Sequence, residues 1–235
     1  MIKNVIERLH GELPATVKLV AVSKFHPFEA IEEAYHAGQR TFGESRPQEL
    51  LAKVRRLEDI RAERGEPDYM SDIEWHFIGH LQTNKIKYIA PFVTLIHALD
   101  SLSLLEAVNK EAAKNNRVID CLLQFHIAQE ETKFGLDIEE AKSLLESESF
   151  KNLKNINICG VMGMATFTDD VVQVRNEFKN LRNIFEALKE NYFKANDSFK
   201  EISMGMSDDY PIAIEEGATM VRVGSKIFGA RNYNV

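Results

Sequence analysis

Val17-Lys18-Leu19-Val20-Ala21-Val22-Ser23-Lys24 is the stretch from which the fold can be read. It is apolar enough to be a strand covered on both faces, as the strands of parallel sheets are. On period-two alternation Lys24 shares a face with Val20 and Val22, so its ammonium lies where apolar side chains point. Burying that charge is costly unless it is paired or neutralised, and a neutral lysine amine is a nucleophile for aldehydes. The alternative is a lysine that caps an exposed strand end, since most lysines are solvated.

Outward from this stretch, similar runs recur at residues 40–44, 73–78, 94–98, 120–127, 156–164, 201–204 and 220–223. Helical patterns separate them. Residues 27–37 open on Pro27 and are followed by Gly38, the punctuation of a helix start and stop. In residues 170–192, Val174, Phe178, Leu181, Phe185, Leu188 and Tyr192 form one apolar stripe at helical spacing. A short helix over 210–216 precedes Gly217, and an amphipathic helix over 2–10 leads into the first strand. The charged segment 58–72 reads as a solvated loop or helix end. Eight strands alternating with helices predict an α/β fold, a single (β/α)8 TIM barrel with an additional N-terminal helix, as one domain over residues 1–235. An open doubly wound sheet is the alternative. No Gly-x-Gly-x-x-Gly follows the first strand, which weakens its dinucleotide-binding form.

A chain of 235 residues suits one barrel, and 44% hydrophobic residues supply its core. A net charge of -7 argues against a general binder of nucleic acid or anionic membranes. Cys121 and Cys159 both sit in apolar runs and read as reduced core residues. The N-terminus has no signal-peptide core, and the longest uncharged stretch, near residues 89–99, is too short to span a bilayer. A soluble, monomeric, cytoplasmic protein is expected.

In such a barrel the chemistry sits at the C-terminal strand ends. There the sequence offers Lys24, then Gly43-Glu44-Ser45, then Gly79-His80. Glu131, Lys133 and Gly135 follow the fifth strand, and Met162-Gly163-Met164 end the sixth. Ser203-Met204-Gly205-Met206-Ser207 and Arg222-Val223-Gly224-Ser225 end the last two. Ser203, Gly205, Gly224 and Ser225 read either as ordinary turns or as a phosphate cradle built from the final two loops. Met162, Met164, Met204 and Met206 read as packing for the upper barrel and the ligand face. Arg222 lies within a buried strand and needs an acceptor, either a barrel carboxylate such as Glu44 or a ligand atom. An amine, a phosphate cradle and a fixed cation together match pyridoxal 5′-phosphate (PLP), with Lys24 for the aldehyde and Arg222 for the ring nitrogen. An arginine there keeps that nitrogen unprotonated and weakens the electron sink that an acidic partner would strengthen.

The stretches Val20–Lys24, Phe42–Glu44, Trp75–Lys85, Ser203–Asp209 and Val221–Gly229 resemble the YggS/PROSC group of pyridoxal phosphate homeostasis proteins. The resemblance runs over nearly the whole chain. It implies a barrel like the N-terminal domain of alanine racemase, with Lys24 as the Schiff-base lysine. It also implies Arg222 near the ring nitrogen, and Ser203, Gly224 and Ser225 at the phosphate; Gly205 of the final loops and Met206 of the ligand face, read from the residues above, complete the expected cofactor-binding set. The function implied is intracellular PLP homeostasis and delivery without established catalysis, with PLP-dependent apoenzymes as recipients. Ser45 stands where the group usually has Asn, and Gly160-Val161-Met162 where it has Gly-Leu-Met.

A small PLP-dependent amino-acid racemase is the alternative. Two-base racemisation needs an acid/base group on each ring face. Lys24 can serve one, and the chain stops at Val235, before any second domain that could supply the other. His76 and His80 are four apart but on a strand-to-loop stretch, a poor zinc pair. His80 reads as a structural or ligand-supporting histidine, Lys133 as a solvated or anion-facing lysine, and Asp208 and Asp209 as caps of the helix at Tyr210.

Overall fold

The computed structural model describes residues 1–129 and 134–230, and within them the apolar runs become eight strands. They are β1 (Lys18–Val22), β2 (Thr41–Glu44), β3 (Glu74–Phe77), β4 (Leu95–Leu99), β5 (Ile119–Phe125), β6 (Ile156–Gly163), β7 (Glu201–Ser203) and β8 (Met220–Val223). Each pairs in parallel with the next, and β8 returns to β1 through Lys18↔Met220 and Val20↔Arg222. That last pairing closes the barrel and excludes an open sheet.

The helices are α1 (Ile2–Glu12), α2 (Phe28–His36), α3 (Pro47–Arg64), α4 (Leu102–Lys114), α5 (Ile138–Glu146), α6 (Glu148–Lys151), α7 (Val171–Asn191), α8 (Tyr210–Glu215) and α9 (Ser225–Phe228), with a 3₁₀ turn over Thr83–Tyr88. Half of the charged segment 58–72 belongs to α3. The buried stripe of Leu50, Val54, Leu57 and Ile60 carries the helix through it, and Gly65 ends it in the left-handed conformation. The stripe of α7 buries Val174, Phe178, Leu181 and Leu188, and Asp170 caps its start by accepting from the Val172 and Gln173 amides. Among the described residues no helix is long and apolar enough to cross a membrane.

Two cores result. The larger lies between strands and helices, and includes Phe42, Phe77, Leu104, Phe178 and Met204. The smaller fills the lumen with Val20, Leu95, Ala98, Leu122, Cys159, Met162 and Met220. Both cysteines are buried and unbridged. Cys159 is the extra residue of a bulge, since Cys121 pairs with Ile158 but Leu122 with Gly160. Gly160 permits it. Its φ is +156°, and a Cβ there would lie 1.8 Å from the Glu201 carbonyl oxygen. The bulge turns Met162 into the lumen. Met204 instead packs outward, because its neighbour Ser203 takes the inward position of β7.

Candidate functional site

At the C-terminal mouth of the barrel a cavity of about 300 Å³ is lined by Lys24, Met206, Arg222, Gly224 and Ser225, together with Val22, Ile78, Met164 and Ser207. Its size falls at the lower end for small-molecule sites, and its walls mix apolar side chains with a few converging polar groups.

Lys24 sits two residues past β1 and is half-buried. The chain turns sharply after it. Phe25 has φ of 64°, a left-handed conformation unusual for a large side chain. Glu49 holds that turn by accepting the Phe25 amide at 2.6 Å, and the Arg46 guanidinium lies 4.3 Å from the Phe25 ring centre. β1 thus ends where Lys24 reaches the cavity.

Arg222 points into the lumen from β8 and is only 4% exposed. Nη1 donates to Ser203 Oγ at 2.6 Å and Nη2 to the Gly163 carbonyl at 3.0 Å. Both acceptors are neutral. Burial pulls the guanidinium down to about 10, partly opposed by the nearby Asp209 carboxylate, so it stays charged at neutral pH. Glu44 is not its partner. Glu44 lies outside the barrel wall, where Oε1 accepts from Ser23 Oγ at 2.6 Å and Lys53 Nζ at 2.6 Å. Strand alternation explains this, for Glu44 follows Gly43, which pairs with Val22 of the lumen-facing register.

Gly205 has φ of +88°, and a Cβ there would meet the Ala213 Cβ at 2.6 Å. The turn it makes leaves its carbonyl to accept from the Arg222 amide at 2.9 Å. Ser203 and Gly205 therefore stand behind Arg222, while Met206, Gly224 and Ser225 face the cavity. The Gly224 amide donates to Ser207 Oγ at 3.3 Å. Ser225 and Lys226 begin α9, where first-turn amides have no intrahelical acceptor. Asp209 does not cap α8 through its side chain. Its Oδ1 turns back to accept from the Met206 amide at 2.5 Å.

His80 is exposed and stacks on Phe134, with ring centres 4.6 Å apart. His76 is buried in the lumen, so the two histidines part company. Lys133 and Glu131 lie outside the described residues. Ser45 packs against Gly79, where a Cβ would come within 2.4 Å of the Ser45 carbonyl oxygen. Sequence reasoning missed His97, which is fully buried and bonds Ser203 Oγ through Nδ1 at 3.0 Å. Its signal was present, as a lone histidine within the apolar run Leu95-Ile96-His97-Ala98-Leu99.

The family model for the alanine racemase N-terminal domain matches residues 1–232. The pyridoxal phosphate homeostasis protein of Aquifex aeolicus is 39% identical over 238 residues, covering 99% of this chain and 97% of that protein. The protein of the same name from Escherichia coli K12 is 33% identical, covering 95% of this chain and 90% of its own. The structure of PipY from Synechococcus elongatus with PLP bound superposes with a TM-score of 0.84 at 34% identity, over 97% of this chain and 100% of PipY. Alanine racemase from Bacillus anthracis shares the fold, with a TM-score of 0.67 at 16% identity over 100% of this chain and 56% of the racemase. With its closed barrel, its lysine at the first strand end and its near full-length match to these relatives, the chain belongs to the alanine racemase N-terminal-domain family, among the pyridoxal phosphate homeostasis proteins.

Proposed function

We propose that this protein binds PLP in the mouth cavity and serves intracellular cofactor homeostasis and delivery, as a monomeric cytoplasmic protein whose residues 1–235 form a single PLP-binding barrel domain. The observation that carries the reading is that Lys24 and Arg222, on strands adjacent only through barrel closure, line one cavity of about 300 Å³. The residues fit the group. Lys24 supplies an amine for the aldehyde carbon. Arg222 has five N–H donors, of which two are taken by Ser203 and Gly163, so donors and charge remain for a ring nitrogen. Gly224 and Ser225 offer close backbone approach and first-turn amides for a phosphate. Ser203 acts one step back, holding Arg222. When bound, PLP supplies an aldehyde that captures amines and a ring that can draw electrons from them. Arg222 leaves that ring nitrogen without a proton, which supports holding over turnover. PLP-dependent apoenzymes are the proposed recipients. The PLP seen in PipY, a relative of 34% identity over its full length, supports the same reading.

Absorbance of the purified protein, read before and after added PLP, tests this. Added PLP should produce a lysine-adduct band that borohydride fixes to Lys24. Lys24→Ala should lose the band and keep weaker, phosphate-anchored binding. A borohydride-stable adduct on another lysine, or no PLP binding by the native chain, overturns the proposal.

A further inference from the structure

Beneath the cavity the lumen is crossed by a single file of polar side chains. Arg222 Nη1 donates to Ser203 Oγ at 2.6 Å, and Ser203 Oγ lies 3.0 Å from His97 Nδ1. His97 Nε2 lies 3.0 Å from His76 Nδ1. His76 Nε2 then faces Glu74 Oε2 at 3.9 Å, at the N-terminal end of β3. Glu74 is half exposed at the far mouth, where Lys18 Nζ and Thr41 Oγ1 donate to it at 3.0 and 2.8 Å. Between the two mouths, His76, His97 and Ser203 are 1%, 0% and 0% exposed, so bulk solvent does not reach them.

Its two ends favour one direction. Arginine can only donate, so Ser203 Oγ accepts there; a second lone pair remains, but the buried hydroxyl proton also needs an acceptor, and His97 Nδ1 is the one within reach among the described residues. A carboxylate can only accept, so Glu74, which at 3.9 Å is beyond direct hydrogen-bond distance, favours a proton on His76 Nε2 electrostatically. Ser203 giving to His97 Nδ1 puts the His97 proton on Nε2. That proton points at His76 Nδ1, which must then be bare, and the His76 proton falls on Nε2. The two ends therefore favour the same pair of tautomers. Burial depresses both imidazoles, His76 to about 3 and His97 well below its usual value, so neither carries a charge to compete with Arg222.

We propose that His97 and His76 are positioning residues for Arg222: each held in the Nε2–H tautomer, they fix the Ser203 hydroxyl and through it the guanidinium that faces the cavity. The need arises because, among the described residues, no carboxylate is hydrogen-bonded to Arg222. Among the described residues its guanidinium donates to a hydroxyl and a carbonyl, and a hydroxyl is a firm acceptor only when its own proton is directed elsewhere. The effect on ligand binding rests on the PLP reading above; the tautomers do not.

Long-range ¹H–¹⁵N NMR of ligand-free protein labelled at histidine reads the tautomers directly. Two buried neutral rings protonated at Nε2 are expected. An Nδ1–H tautomer or an imidazolium at either position at neutral pH overturns the inference. PLP titrations then compare two variants. His97→Gln can accept from Ser203 through its oxygen and donate to His76 through its nitrogen, so it should bind PLP within about twofold of wild type. His97→Leu forfeits one buried hydrogen bond's worth of positioning, roughly fivefold in affinity, and should shift the ring-nitrogen resonance of bound ¹⁵N-PLP. Wild-type affinity and an unmoved ring resonance in His97→Leu refute the positioning role. If that variant does not fold, His76→Leu should give the same shift, and an unmoved resonance there is equally fatal. A native protein that ignores PLP refutes the cofactor reading, while the tautomer spectrum still decides the inference.

Discussion

Two buried cations sit close to the same barrel mouth and live in opposite surroundings. Lys53, on α3, is 6% exposed. Its Nζ meets Glu44 Oε1 at 2.6 Å, Glu49 Oε1 at 2.8 Å and the Ser23 carbonyl at 2.8 Å. An ammonium has three donors, and these contacts use all of them. Arg222 is equally buried but meets only a hydroxyl and a carbonyl. The charge of Lys53 is cancelled within the wall and serves to fasten α3 to the ends of β1 and β2. The charge of Arg222 has no hydrogen-bonded counter-charge, only the partial influence of Asp209, and it borders a cavity. Burial alone therefore does not separate structure from function here. What separates them is whether the protein supplies the counter-charge.

The largest expected effect breaks the Lys53 side of this contrast. Lys53→Met would leave Glu44, fully buried and already with one oxygen lacking a hydrogen-bond partner, to face Ser23 alone. Removing one member of a buried pair typically costs about 3–5 kcal/mol. Urea unfolding should show that loss, while the folded variant binds PLP as wild type. A stability change below about 1 kcal/mol would mean that the pair's attraction barely exceeds its desolvation.

The next effect belongs to the neutral anchors of Arg222. Burial holds His76 at about 3, and His97 also far below its ordinary value. Their folded values lie below the unfolded ones, so the unfolded chain takes up protons first as pH falls. The contribution is complete above pH 6.5 and is lost progressively toward pH 3. Each histidine costs up to about 1.4 kcal/mol per pH unit, and the pair roughly 2 kcal/mol between pH 6.5 and 5.5. Glu44 has the opposite sign, since burial raises its carboxyl against the pull of Lys53. Denaturant unfolding across pH should therefore show an acid slope that His76→Gln with His97→Gln removes. A slope that survives the double substitution would place its origin in other groups.

The contrast also marks how far sequence could lead. The eight strands were legible because each is a short apolar run between helical patterns. Lys24, Arg222 and the glycine-serine ends were legible because polar groups stood out at strand ends. The pairing of Arg222 was not, because Glu44 and Arg222 each suit the other chemically, and only the parity of β2 puts them on opposite sides of the wall. Ser203 and His97 are 106 residues apart and meet only across a closed lumen. Lys53 lies on the buried stripe of α3 beside Leu50, Val54 and Leu57, where helical spacing gives no hint of two carboxylates waiting behind it. The Phe25 turn was equally hidden, because nothing in a phenylalanine advertises a left-handed backbone.

The smallest expected effect sharpens the Arg222 side. Arg222→Leu removes a desolvated charge that no carboxylate hydrogen-bonds and that Asp209 offsets only in part, and replacing a buried charge with an apolar side chain is often neutral for stability or better. The melting temperature should not fall. Ser203 keeps His97 as a partner, so the lost contacts reduce to one carbonyl, that of Gly163. Binding should behave differently. If the guanidinium's remaining donors serve the ligand, PLP affinity should drop about tenfold, or ~1.4 kcal/mol, with the lysine-adduct band still present at saturation. The pairing of outcomes is what discriminates, and it is the reverse of that expected for Lys53→Met. Affinity preserved with a melting temperature lowered by several degrees would make Arg222 a second structural cation, and the distinction between the two buried charges would collapse.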